Sequence, residues 1–72
     1  MQNEKYGSYV LWGHAILQQE EILQAERYAA SATVTRDTKF VEASGTLGAF
    51  DSQREAELVG LAWARAWVDS HG

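Results

Sequence analysis

His14 is the imidazole that falls inside a stretch with secondary-structure character, so it is the first residue to weigh for chemistry. General acid–base work requires such a ring beside a nucleophile or a carboxylate. Asp37, Asp51 and Asp69 could supply the carboxylate. No spacing ties any of them to His14, so a structural or surface histidine is expected. His71 is expected in solvent. Glu20, Glu21 and Glu26 suggest a cation site by composition. A calcium loop alternates oxygen ligands around a glycine, and this stretch has neither feature, so a solvated charge run is expected. Ser8, Ser31, Ser44 and Ser52 sit in no nucleophile-elbow pattern. Gly45-Thr46-Leu47-Gly48 lacks the lysine and further glycine of a phosphate-cradling loop and reads as a turn or bulge. The chain has no cysteine, which removes thiolate nucleophiles, thiolate metal sites and disulfides. These residues predict a protein that is not an enzyme and has no cofactor and no metal.

Charge and length narrow the classes further. The 72 residues predict a single domain over 1–72, with an ordered core at about 6–70. The formal net charge is −4, and the basic residues Lys5, Arg27, Arg36, Lys39, Arg54 and Arg65 are scattered. Phosphate neutralisation needs clustered Lys and Arg, which argues against direct nucleic-acid binding. No apolar run approaches the ~20 residues of a membrane span, and the polar start Met1-Gln2-Asn3-Glu4-Lys5 is unlike a signal peptide. A soluble cytoplasmic protein is expected. A core this small supplies only ~3–5 kcal/mol without staples, so a partner interface is anticipated.

The elements that must position any site follow from patterning. Tyr6–Leu17 is rich in aromatic and β-branched residues and includes Gly7 and Gly13, which favours a first strand. As a strand it sets Tyr6, Ser8, Val10, Trp12, His14 and Ile16 on one face. Tyr9, Leu11, Ala15 and Leu17 take the other. Gln18–Glu26 reads as a loop or short helical turn; its rival is one helix from about Ala15 to Ala30. Tyr28–Thr35 alternates with period two and predicts a half-buried strand. Arg36-Asp37-Thr38 predicts a turn into a strand over Lys39–Ala43, making a hairpin. Gly48 suggests a bulge before Phe50, and Thr46–Phe50 ends the third strand or forms a short separate one.

From Asp51 onward the pattern is helical. Ser52-Gln53-Arg54-Glu55 fits a capping box, and the helix is expected from Gln53 to about Ser70. Ala56, Val59, Gly60, Trp63, Ala66 and Trp67 form one stripe, with Gly60 allowing close approach to a sheet. Gln53, Arg54, Glu57, Arg65 and Asp69 lie away from it. Leu58, Leu61 and Val68 fall among the charged residues and suggest a second contact surface.

Tyr6-Gly7-x-Tyr9, Arg27-Tyr28-Ala29-Ala30, Phe50-Asp51-Ser52 and Ala62-Trp63-Ala64-Arg65-Ala66-Trp67-Val68-Asp69 occur in that order. The chain thereby resembles a group of small, functionally uncharacterised bacterial strand–strand–strand–helix domains ending in a Trp-(Ile/Val)-Asp helix. The likeness covers about Tyr6 to Asp69. It implies an α+β domain, a three-stranded antiparallel meander with one C-terminal α-helix packed on one face, and it carries over no catalytic residue.

A single helix covers one face of such a sheet. The other face is left with Tyr6, Val10 and Trp12 or with Tyr9, Leu11 and Leu17, depending on register. Either set predicts burial against another polypeptide. The expectation is a non-enzymatic interaction module, a homodimer or a partner of another protein, with Tyr6, Tyr9, Val10, Leu11, Trp12, Leu58, Leu61 and Val68 as its contact residues. The alternatives are a regulatory module associated with nucleic-acid-binding proteins and a small-ligand binder at a dimer interface.

Overall fold

The computed structural model describes residues 2–18 and 27–71. The fold is α+β: an antiparallel sheet and one C-terminal helix. Strands β1 (Gln2–Tyr6), β2 (Tyr9–Gln18), β3 (Arg27–Arg36) and β4 (Lys39–Ala43) lie side by side in chain order. A two-residue strand, β5 (Ala49–Phe50), also pairs with β3, and helix α1 covers Gln53–His71. The sheet therefore has more strands than the three-stranded meander expected from the sequence. The expectation for Gln18–Glu26 lies mostly outside the described residues. Gln18 itself ends β2, and the rival helix from Ala15 is excluded because residues 15–18 and 27–30 are strand.

The added strand joins Gln2–Lys5, outside the ordered core expected at about 6–70, to Tyr6, which a turn separates from the rest of Tyr6–Leu17. Gly7 has φ +63, a conformation that suits the first central position of a type II′ turn. Gly7-Ser8 turns the chain back, and Tyr6 pairs with Tyr9. The turn reverses the face assignment of Tyr6. Tyr6, Tyr9 and Leu11 all point to the helix side, and only Val10 and Trp12 of the predicted patch remain on the other. The second hairpin turns at Asp37-Thr38, with φ 53 and 64, and sets Arg36 opposite Lys39. The register then shifts beyond Thr35, so that Val41 is the extra residue of a β-bulge. Val41 packs against the core.

Helix α1 starts as its capping sequence demands. Ser52 Oγ accepts the Glu55 N–H at 3.0 Å and the Ser52 carbonyl accepts the Ala56 N–H at 3.2 Å. The reciprocal bond from the Glu55 side chain is not made. The buried residues of the helix are Ala56, Glu57, Gly60, Leu61, Ala64 and Val68. This stripe is turned about 100° from the predicted one, about one residue position. Leu61 and Val68 are thus core residues, 3% and 6% exposed, and not a second contact surface. Leu58 remains outside, 43% exposed.

Close approach explains the rotation. A Cβ on Gly60 would meet the Ser31 carbonyl oxygen at 2.3 Å, and one on Gly13 would meet the Glu57 carbonyl oxygen at 2.2 Å. The helix rests on bare backbone there, so only small side chains fit beneath it, and Ala56 and Ala64 supply them. Indoles cannot enter that gap. Trp63 and Trp67 flank it, half-buried against a core of Leu11, Ala32, Val34, Leu61, Ala64 and Val68.

Candidate functional site

The sheet's second face is the surface without a layer on it. Strand partners share a face, so register assigns each residue. One row across this face is Asn3, Trp12, Thr33 and Ala43; the next is Lys5, Val10, Thr35 and Phe40. His14 and Ser31 form a third row, and Ile16 lies beyond them. Phe40 is 67% exposed and Ile16 53%.

Hydroxyls hold the larger side chains of this face. The Trp12 Nε1–H donates to Thr35 Oγ1 at 3.0 Å, which draws the indole toward the Val10–Thr35 row. His14 Nε2 lies 3.0 Å from Thr33 Oγ1. The ring is thus tied to a neighbouring threonine, with no described carboxylate against it, and Asp37, Asp51 and Asp69 all lie elsewhere. The arrangement places a ring and an indole on a pleated surface; it does not assemble a general acid–base pair. Among the described residues, no cluster of His, Asp and Glu could hold a metal ion.

Charge is distributed unevenly between the two faces. Glu4 and Glu42 share the row of Leu11 and Val34 and therefore lie on the helix side. Asp37 is in a turn, and Asp51, Glu55, Glu57 and Asp69 are in the helix or its approach. By the same register Lys5 and Arg27 both lie on the open face, and Arg27 Nε stands 3.8 Å from the Asp51 carboxylate. The rows of Val10, Trp12 and His14 carry no carboxylate, although the whole chain is acidic at −4. A face of Val10, Trp12, Ile16 and Phe40 set among threonines is apolar in patches and repels no anionic approach.

The helix side holds the remaining polar contacts. The Tyr6 hydroxyl donates to Asp69 at 2.6 Å and ties β1 to the end of α1. This bond, foremost, holds the Tyr6 phenol above its ordinary range, because losing the proton would set two anionic oxygens together. Arg65 Nε sits 3.1 Å from Glu4 Oε2, at ion-pair distance but without the alignment of a hydrogen bond. The Arg36 guanidinium lies 5.4 Å from the Tyr9 ring centroid, within cation–π range. Trp67 stacks on His71, with centroids 4.6 Å apart.

Of the predicted contact residues, the structure brings only Val10 and Trp12 together on the open face. It places Tyr6, Tyr9, Leu11, Leu61 and Val68 on the core side and leaves Leu58 exposed on the helix. Ile16, Leu17 and Phe40 are the exposed large apolar residues that the predicted contact set omitted, and Leu17 shares the helix-side parity of Leu11. An aromatic sheet surface of Trp12 with Tyr6 and either Tyr28 or Phe40 is a further expectation from the sequence; register sets Trp12 and Phe40 on the open face and Tyr6 and Tyr28 on the helix side. No described helix is long and apolar enough to cross a membrane. No family model, curated protein or solved structure matches the chain.

Proposed function

We propose that this chain is a non-enzymatic protein-interaction module that self-associates through the open face or the edge of its sheet, in the cytoplasm. The observation that supports this reading most directly is the uncovered sheet face bearing Val10, Trp12, Ile16 and Phe40, with Ile16 and Phe40 exposed. Apolar side chains held this far out of the core gain stability when a second protein surface removes them from water. An extended sheet face can bury them in one contact, because β2 and β3 each run ten residues and pair along their whole length. At ~3.4 Å per residue that is a surface about 34 Å long. Its width is about three strand spacings, or ~14 Å, over the half that β1 and β4 flank with five residues each, and about one to two spacings beyond. The projection is about 300–400 Å². Standard interfaces bury ~800 Å² per partner, so the open face supplies up to about half of that area.

Sedimentation equilibrium tests the reading. The expected result is a dimer in the micromolar range that Phe40→Asp weakens by tenfold or more. A strict monomer up to millimolar concentration rejects self-association.

A further inference from the structure

The outer side of α1 is a second surface without a layer on it. The buried stripe of the helix centres on Ala64. At about 100° per residue, Glu55, Ala62 and Ala66 point away from that stripe, with Leu58, Val59 and Asp69 beside them. Leu58 is 43% exposed, and Ala62 and Ala66 are exposed as well. The strip is thus apolar between two carboxylates, Glu55 at one end and Asp69 at the other. Arg65 lies at its flank, turned to Glu4. Asp69 accepts the Tyr6 hydroxyl through Oδ1, which leaves Oδ2 for another donor.

The open sheet face carries the opposite charges at its ends. Its apolar side chains run from the row of Lys5, Val10 and Phe40 through Trp12 to Ile16, and Arg27 stands beyond them. Arg27 has Asp51 at 3.8 Å; among the described residues, no carboxylate pairs with Lys5. The two strips match in length. The β2 partners of Lys5 and Arg27 are Val10 and Gln18, about 27 Å apart along the strand. Glu55 and Asp69 are about 21 Å apart along the helix. With the two strips centred on each other, Asp69 comes within ~3 Å of Lys5 along the strip, and Glu55 within ~3 Å of Arg27. Lys5 on β1 and Arg27 on β3 stand one strand spacing, ~4.8 Å, to either side of β2, a distance that their long stems span. Ala66 then lies over Trp12, Ala62 over His14 and Leu58 over Ile16. The bulkiest side chain of the face meets a small one, and the exposed leucine meets the exposed isoleucine.

We infer that the open sheet face of one copy takes the outer side of α1 from a second copy. This assignment rests on the self-association proposed above and names both surfaces of the contact. Packing two open faces together brings Lys5 and Arg27 of one copy toward the same cations of the other, with Asp51 alone to answer them. Helix on sheet sets each cation against a carboxylate, and charge complementarity of this kind fixes register and excludes the wrong pairing. The sheet already carries one helix on its other face, and a helix ~10–12 Å across suits a strip two to three strand spacings, or ~10–14 Å, wide. The two surfaces lie on opposite sides of the molecule, so the contact is heterologous and does not close as a two-fold dimer. The dimer is a first step: it keeps one free sheet face and one free helix side, and it grows as concentration rises.

Complementation between two variants tests the assignment by sedimentation. Phe40→Asp disables the sheet surface and Leu58→Asp the helix surface. Both positions are exposed, and circular dichroism checks that each variant is folded. Each variant alone is expected to associate at least tenfold more weakly than the wild type. Mixed in equal amounts, the two retain one intact surface each. They are expected to form a one-to-one heterodimer with the affinity of the wild-type contact that grows no further. Ala62→Arg, at an exposed position where arginine suits a helix, should serve in place of Leu58→Asp. Helix variants that associate as the wild type does, or a mixture that stays monomeric, overturn the helix assignment while leaving self-association standing. A wild type that is monomeric up to millimolar concentration rejects both.

Discussion

At the scale of single residues, two side chains report on local physics. The Tyr6 phenol donates to Asp69 across the join of β1 and α1, and that bond raises its pKa. A group whose folded pKa lies above its unfolded value adds stability below the unfolded pKa of about 10. It loses that contribution as pH rises through the folded value. The wild type should therefore lose stability through the phenol's alkaline titration, whereas Tyr6→Phe should lack this component. Chemical denaturation from pH 8 to 11 measures it, and identical alkaline slopes would refute it. Thr38 sits at φ 64, where a β-branched residue is strained. Thr38→Gly should relieve that strain and stabilise the fold by about 1 kcal/mol, read from the urea midpoint. No change there would show that the turn holds Thr38 without cost. His14 Nε2, by contrast, lies 3.0 Å from the Thr33 hydroxyl, a contact within the sheet face.

At the scale of elements, the contact between α1 and the sheet turns on two glycines far apart in sequence. Helix propensity alone favours Gly60→Ala by ~1 kcal/mol. The Ser31 carbonyl oxygen at 2.3 Å from the new Cβ opposes it. Backbone cannot swing aside as a side chain can, and overpacking costs ~1–3 kcal/mol. The steric term should win, so Gly60→Ala is expected to destabilise by about 1–2 kcal/mol net, measured by thermal or urea unfolding. A stabilised variant would show that helix and sheet are further apart than described. Leu58→Ala, on the exposed side of the same helix, should change stability by less than about 0.5 kcal/mol.

At the scale of the whole molecule, the asymmetry between faces sets the behaviour. The helix uses one face of the sheet, and what remains open is the second face and the outer side of α1. Association that consumes those surfaces couples folding to concentration. The melting temperature should rise with protein concentration, by several degrees for each 1–2 kcal/mol gained in a domain this size. Differential scanning calorimetry from 10 μM to 1 mM measures it. A concentration-independent transition would count against any self-associated native state.

How much was legible in the chain depends on what each feature needs. Alternation in Tyr28–Thr35, the turn into Lys39–Ala43 and the cap at Ser52 are local. Residues within a few positions decide them, and β3, the second hairpin and α1 all formed where those signals lay. The absence of cysteine is likewise a property of the sequence alone. β1 was not legible, because five polar-rich residues make no strand until β2 offers them a partner. The rotation of α1 was not legible either. Periodicity gives the angles between side chains on a helix but not which angle faces the sheet. That choice was made where Gly60 met the backbone of Ser31 and where Gly13 met that of Glu57. A close approach belongs to both surfaces at once, so only the tertiary structure could select the side chains that lie beneath it and those left to meet a partner.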